Sequence, residues 1–271
     1  MSIQNEAKLP SVQFLILDLH RSVLNIWFNR PEARNALNDQ MMSELGQVLD
    51  SIKYDRTIRT IVLRGKGGFF CAGGDIKGFK SGMQATDSNE VAKGNRSFGN
   101  VMTKLNEQPQ VVIILVEGAA IGGGLGLACV ADVTLVTADA KFRLSETSLG
   151  IPPAQIAPFV TERVGLTQAR RLMLTGAKFN GEEAARLGIA HGVASDASHL
   201  ESQCNEILSQ ISACAPGANA VTKEILFESL RRPRPEVLDF ASARFAQCML
   251  SEEGLEGVAA FVEKRKASWN K

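Results

Sequence analysis

The sequence predicts an α/β fold followed by a helical C-terminal part, on three observations. Short β-branched or apolar runs at 60–63, 111–116 and 133–137 alternate with helix-forming stretches, the order expected of a sheet with crossover connections. Two of those runs lead into glycine-rich loops. Beyond about Gly150 the apolar period turns helical, and it dominates from Ser198 to the end.

Taken in order, residues 14–19 and 23–28 read as two strands with a turn at 20–22. Asn38 stands where an N-cap is wanted, ahead of a helix to about Tyr54. The run 60–63 ends at Arg64-Gly65 as a third strand, and Lys66-Gly67-Gly68 follows as a turn. A helix is expected over 89–106. The continuous apolar run 111–116 suits a strand buried on both faces. A small apolar helix then reaches Ala131, and Asp132 precedes a strand at 133–137. Asn180-Gly181-Glu182-Glu183 has capping-box spacing ahead of a helix over 184–188. Pro216, Pro233 and Pro235 break the remaining helices. The division expected is a mixed core over 1–195 and a helical region over 196–271.

Composition removes several function classes. The 30 Lys+Arg and 29 Asp+Glu leave a net charge of +1, without the basic excess of a phosphate-reading nucleic-acid binder. Basic clusters at 231–234 and 264–266 read as solvated helix ends. The five cysteines are odd in number and form no Cys-x-x-Cys pair, and the three histidines form no His-Glu-x-x-His pattern, so no metal or redox site is expected. Residues 1–10 carry no cationic start followed by an apolar run, and the glycine-thick stretch 118–131 is shorter than the roughly 20 apolar residues of a membrane span. Reduced thiols and a cytoplasmic location are expected.

The two glycine loops carry the chemistry. One is Phe69-Phe70-Cys71-Ala72-Gly73-Gly74-Asp75-Ile76-Lys77 and the other Glu117-Gly118-Ala119-Ala120-Ile121-Gly122-Gly123-Gly124-Leu125-Gly126. Glycine permits dihedrals that aim N–H groups at a ligand, and a helix start adds unpaired donors and a positive dipole end. Two such loops can each give one donor to a developing oxyanion. Either alone is also what a plain turn or a close helix contact needs. Cys129 stands where a dinucleotide fingerprint wants its third glycine, no Lys-Ser/Thr follows the glycines as in a phosphate loop, and no Gly-x-Ser-x-Gly elbow is present.

Pro31-x-x-x-Asn35-Ala36-Leu37, Phe70-Cys71-Ala72-Gly73-Gly74-Asp75-Ile76-Lys77, Gly122-Gly123-Gly124-Leu125, Ser145-Glu146 ahead of Leu149-Gly150, and Ala260-Phe261-Val262-Glu263-Lys264-Arg265-Lys266 occur in one order along the chain. Together they resemble the crotonase (enoyl-CoA hydratase/isomerase) superfamily over essentially the whole length. The resemblance implies a crotonase-like spiral of ββα units with a helical C-terminal trimerisation region, and a homotrimer or dimer of trimers. It implies that Gly74 and Gly123 supply two oxyanion-hole N–H groups to an acyl-CoA thioester. It places Ala72, Asp75, Ile76 and Lys77 along the adenine and pantetheine path, with Arg34 near the CoA phosphates or pantetheine. Phe261 and Lys264 would reach a CoA held by a neighbouring subunit. No cofactor is implied beyond the coenzyme A of the substrate. The carboxylates of Asp75 and Glu117 read as braces of their loops, not as catalysts.

A thioester turns enolate-like as water adds to its β-carbon, and the water proton needs an acceptor. A carboxylate with a raised pKa can take that proton and return one to the α-carbon. Glu146 is the candidate, matching a catalytic glutamate of the family. Taken without the resemblance, it is also placed for an ion pair with Arg143 or for a helix start. The two-glutamate hydratases carry a second carboxylate three residues after the oxyanion glycine, where this chain has Gly126. Glu146 must then act as both base and acid, or another group helps. The stretch from Ser145 to Val160, with Ile156-Ala157-Pro158, resembles hydratases of methylglutaconyl-CoA and isohexenylglutaconyl-CoA, from leucine and acyclic-terpenoid breakdown. Hydration of such a branched, carboxylated enoyl-CoA is the expectation. An isomerase, thioester hydrolase or lyase of the same superfamily is the alternative, and a non-catalytic CoA-binding subunit a third reading.

Overall fold

The computed structural model describes residues 9–75 and 87–270. In chain order these fold as β1 (Leu15–His20), β2 (Val23–Phe28), α1 (Asp39–Ile52), β3 (Thr60–Gly65), α2 (Ser88–Asn106), β4 (Val111–Val116), β5 (Ala119–Ile121), α3 (Gly123–Val130), β6 (Val133–Thr137), β7 (Lys141–Arg143), α4 (Ala157–Thr175), β8 (Lys178–Phe179), α5 (Gly181–Arg186) and β9 (Gly192–Ala194). Helices α6 (Ala197–Ala213), α7 (Pro216–Arg231), α8 (Arg234–Met249) and α9 (Glu252–Val262) follow, and 3-10 turns lie at Pro31–Ala33 and Glu146–Leu149.

The main sheet runs β1-β2-β3-β4-β6-β9, antiparallel between β1 and β2 and parallel thereafter. A smaller sheet runs β5-β7-β8, with Phe142 and Phe179 stacked at 5.3 Å. The strands expected at 14–19, 23–28, 60–63, 111–116 and 133–137 are all present within a residue or two. β5, β7, β8 and β9 escaped the sequence reading because two or three residues show no period. Asn38 caps α1 by accepting the Met41 N–H at 2.8 Å. Asn180 likewise accepts the Glu183 N–H at 3.0 Å, while the Glu183 carboxylate turns to Arg171 and Arg186, so half of the expected box forms.

Alternate residues of the central strands face two cores. Leu24, Ile26, Ile61, Leu63, Val112 and Ile114 pack with α1 and α2 on one side. Val62, Ile113, Leu115, Leu135 and Ala194 pack on the other side under Leu200, Cys204 and Ile211 of α6. A strand covered on both faces has no polar face to show, which is why 111–116 reads as unbroken hydrophobe. Helix α6, assigned by the sequence to the helical region, thus covers one face of the main sheet.

Two cations tie the last helices to this sheet. The Arg59 guanidinium, just before β3, donates to the carbonyls of Trp269 (2.9 Å), Ile211 (3.0 Å) and Ser212 (3.1 Å). Lys223 of α7 donates to Gln108 O and Gln110 O at 2.8 Å each and meets the Asp132 carboxylate. Beyond these ties α8 and α9 leave large apolar side chains in solvent, among them Leu238, Phe245, Leu255 and Phe261. No helix among the described residues is long and apolar enough to cross a membrane.

The turn after β3 is held from within by Asn35. This residue is fully buried and sits at φ +55°, a left-handed conformation that asparagine tolerates better than most residues. Its Oδ1 accepts the Arg30 N–H at 2.9 Å, and its Nδ2 donates to Lys66 O (2.9 Å) and Phe69 O (2.6 Å). A Cβ at Gly65 would stand 1.9 Å from Phe69 O, so only glycine lets the loop close this tightly. Asn35→Ala leaves two carbonyls and one N–H without these partners, for an expected loss of about 3 kcal/mol of stability. Urea denaturation checks this, and an unchanged midpoint would mean the three bonds contribute nothing net.

Candidate active site

The first glycine loop changes partners halfway along. Cys71 donates to Ala119 O at 2.9 Å and accepts from Ile121 N at 3.0 Å, which ties it to β5. Gly73 then takes φ +99°, and the chain turns to the other side. Gly73 O accepts the Leu37 N–H and the Asp75 N–H donates to Leu37 O, both at 2.8 Å, in the pattern of a parallel bridge. A residue flanked by two such bonds turns its own N–H away from that partner. The Gly74 N–H therefore points away from Leu37 and meets no acceptor among the described residues. The buried Cys71 thiol helps fix the turn, its Sγ lying 3.3 Å from the Gly73 N–H.

The second loop ends in a helix start. Gly122, at φ +51°, donates to Arg143 O at 2.8 Å, and Gly123 is the first residue of α3. Its N–H is one of the donors a helix leaves unpaired, at the positive end of the dipole. Glycine is required here by close approach. A Cβ at Gly123 would stand 2.9 Å from Leu37 Cδ1, and one at Gly124 would stand 2.7 Å from Cys71 Cβ. Leu37 thus borders both donors, through its backbone at Gly74 and its side chain at Gly123.

Glu146 opens the 3-10 turn that follows β7. A Cβ at Gly122 would lie 2.7 Å from Glu146 Oε1, so this carboxyl rests against the residue just before Gly123. Its Oε2 is buried with no hydrogen-bond partner. Burial raises the Glu146 pKa, opposed more weakly by the backbone N–H groups of Glu146 and Ser145. Arg143 does not neutralise it: its Nε donates to Gly176 O at 3.1 Å, and Glu146 forms no ion pair among the described residues. Burial thus makes this carboxyl a weaker acid than usual, and it lies against the residue that precedes the Gly123 amide.

The other expected residues divide into two places. Ala72 donates to Arg34 O at 3.0 Å, and the exposed Arg34 guanidinium lies 5.6 Å over the Phe69 ring, so both border the first loop. Asp75 pairs with Arg30 at 2.8 Å, and Arg30 also reaches Ala36 O at 2.6 Å, the bracing arrangement read from sequence. Ile76 and Lys77 lie outside the described residues. Phe261, 86% exposed, and Lys264 stand at the end of α9 and make no hydrogen bond, ion pair or ring contact with the described residues of either loop. Sequence reasoning missed Leu37 and Cys71 as parts of the site, although both stand in its motifs. An apolar side chain that acts through position carries no chemical signal of its own.

A profile of the enoyl-CoA hydratase/isomerase family matches residues 18–271. The solved structure of Pseudomonas aeruginosa AtuE superposes with a TM-score of 0.93 at 49% identity, covering 96% of this chain and all of that one. A probable enoyl-CoA hydratase of Bacillus subtilis is 32% identical, over 93% of this chain and 96% of its own length. A carnitinyl-CoA dehydratase of Proteus mirabilis is 34% identical, over 95% of this chain and 98% of its own.

The raised pKa of Glu146 has a consequence for folding that needs no substrate. The folded state holds the proton to a higher pH than the unfolded state, so stability is lost as pH rises from about 4 through the folded pKa. Glu146→Gln removes that loss. The urea midpoint of the variant should gain on the parent as pH rises above about 4 and level off beyond the folded pKa. A constant or shrinking difference would show that folding does not raise the Glu146 pKa.

Proposed function

The chain belongs to the enoyl-CoA hydratase/isomerase family and is a crotonase-fold enzyme of the hydro-lyase type, and from that premise we propose that it adds water across the 2,3 double bond of a branched, carboxylated enoyl-CoA. The observation that carries this reading is the buried Glu146 carboxyl beside Gly122, one residue from the Gly123 amide.

In this reading the Gly74 and Gly123 N–H groups hold the thioester oxygen, and Ala72, Asp75, Ile76, Lys77 and Arg34 line the CoA path. Glu146 takes a proton from water as the hydroxyl bonds to the β-carbon. The electron pair of the double bond moves toward the thioester, whose oxygen gains charge under the two amides. Glu146 then returns its proton to the α-carbon. Water is consumed whole and the carboxylate is regenerated, so one group serves as base and acid. An oxyanion donor of this kind is worth about 2.7–4 kcal/mol, and the positioned acid/base a further 10²–10⁴-fold, roughly. No cofactor enters beyond the coenzyme A of the substrate.

The likeness of the stretch from Ser145 to Val160 to methylglutaconyl- and isohexenylglutaconyl-CoA hydratases supports a glutaconyl-type substrate, the isohexenyl form being preferred, in leucine or terpenoid breakdown in the cytoplasm. A single carboxylate also suits an isomerase, which moves one proton between carbons and needs no second acid. The apolar side chains left in solvent by α8 and α9 support a helical C-terminal region, 196–271, that joins chains into a trimer or a dimer of trimers, with Phe261 and Lys264 reaching the CoA of a neighbour.

Glu146→Gln should lower kcat for hydration by about 10²–10⁴-fold with KM little changed. With enoyl-CoA in heavy-oxygen water, label should enter the β-carbon and leave the thioester intact. Label in a freed acid instead would indicate a hydrolase, and double-bond movement without label an isomerase. Light scattering behind size exclusion should give the mass of three or six chains, and a monomer at micromolar concentration would remove the assembly reading.

A further inference from the structure

The α3 helix carries a third glycine whose neighbours decide what the acyl group meets. Gly126 stands three residues after Gly123, so the two share a helix face. Any Cβ on a helix tilts toward its N-terminus, which here is the end bearing the oxyanion donor. At Gly126 that Cβ would stand 2.8 Å from Ile156 Cγ2 and 3.1 Å from Met102 Cε. Ile156, buried at the start of α4, therefore fills the space a side chain at 126 would need. Phe98, one helical turn before Met102, extends the same surface to Gly123, whose Cβ would lie 3.2 Å from the Phe98 ring.

This surface is tied to α2 next to Ile156. Gln155 donates to Asn95 on α2 at 3.0 Å. A Cβ at Gly99 would stand 2.1 Å from Gln155 Oε1, so glycine at that position lets the residue before Ile156 press into α2. Ile156 is fixed to α2 on one side and to α3 on the other.

We infer that Ile156 is a specificity-determining residue: with Met102 and Phe98 it walls the acyl site beyond the Gly123 amide, keeps any second carboxylate out of position 126, and accepts a hydrocarbon branch of the substrate. The inference rests on the hydratase reading and adds the chemical class of the group facing α3, an apolar substituent at the β-carbon. The polar arm of a carboxylated substrate has to lie on another side, since a charge against Ile156 and Met102 would be desolvated without a partner.

The test uses the full chain and saturated and unsaturated acyl-CoAs with no branch, a methyl branch and a longer alkyl branch at the β-carbon. Ile156→Ala should raise the kcat/KM ratio of the longest branch to the unbranched chain by about tenfold, while Ile156→Val should stay within about threefold of the parent. Gly126→Ala should lose turnover in the parent and lose less in the Ile156→Ala background, where the added methyl has room. Circular dichroism confirms that each variant is folded. Dissociation constants of the saturated compounds, read by calorimetry, separate the two claims. A shifted binding ratio with no turnover by the parent sinks the hydration reading and keeps the wall. An unchanged ratio in folded Ile156→Ala, by both turnover and binding, overturns the inference.

Discussion

The site depends on how one residue, Leu37, joins two stretches of chain. Its backbone takes Gly73 and Asp75 on either side of Gly74, and its side chain abuts the first residue of α3. The first contact fixes which way one amide points, and the second fixes how near the other helix start can come. Neither glycine can bring this about alone, because a glycine is free to turn both ways. The direction comes from the hydrogen bonds around it. Asn35, two residues earlier, anchors the same segment to the turn after β3, so the β3 turn and the loop are registered by one short peptide.

The electrostatics then follow from the packing. A helix whose residues are all buried presents its positive end next to a carboxyl that burial keeps inclined to hold its proton. The usual neutralising route, an ion pair, is not taken among the described residues, and the Arg143 Nε turns to a carbonyl of Gly176 instead. Apolar side chains cover the next turn of the helix, where a second acid would have had to stand. The helix start at Gly123 thus has one acid against the residue before it and hydrocarbon against Gly126 a turn further on.

Much of this was legible in the sequence, and the failures have physical reasons. The five principal strands and the caps at Asn38 and Asn180 could be read because periodicity and hydrogen-bonding side chains are local properties. The glycine loops could be located for the same reason. What could not be read was the partner exchange at Gly73, which depends on Leu37 from another part of the chain. The sequence shows that Gly126 carries no acid, but not that the space beside it is filled, because the filler lies thirty residues away at Ile156. The β5-β7-β8 sheet was invisible since its strands are too short to alternate. Singling out Glu146 needed both kinds of information, a motif to mark it and a burial to shift its pKa.

The position of α6 has a further consequence for synthesis. Its Leu200, Cys204 and Ile211 cover Val62, Ile113 and Leu115, which leave the ribosome much earlier. Until α6 emerges, the nascent sheet shows one bare hydrophobic face. Long-range pairing of this sort is slow to complete and exposes sticky intermediates meanwhile. The bonds of Arg59 to the Ile211, Ser212 and Trp269 carbonyls can form only once that cover has come within reach.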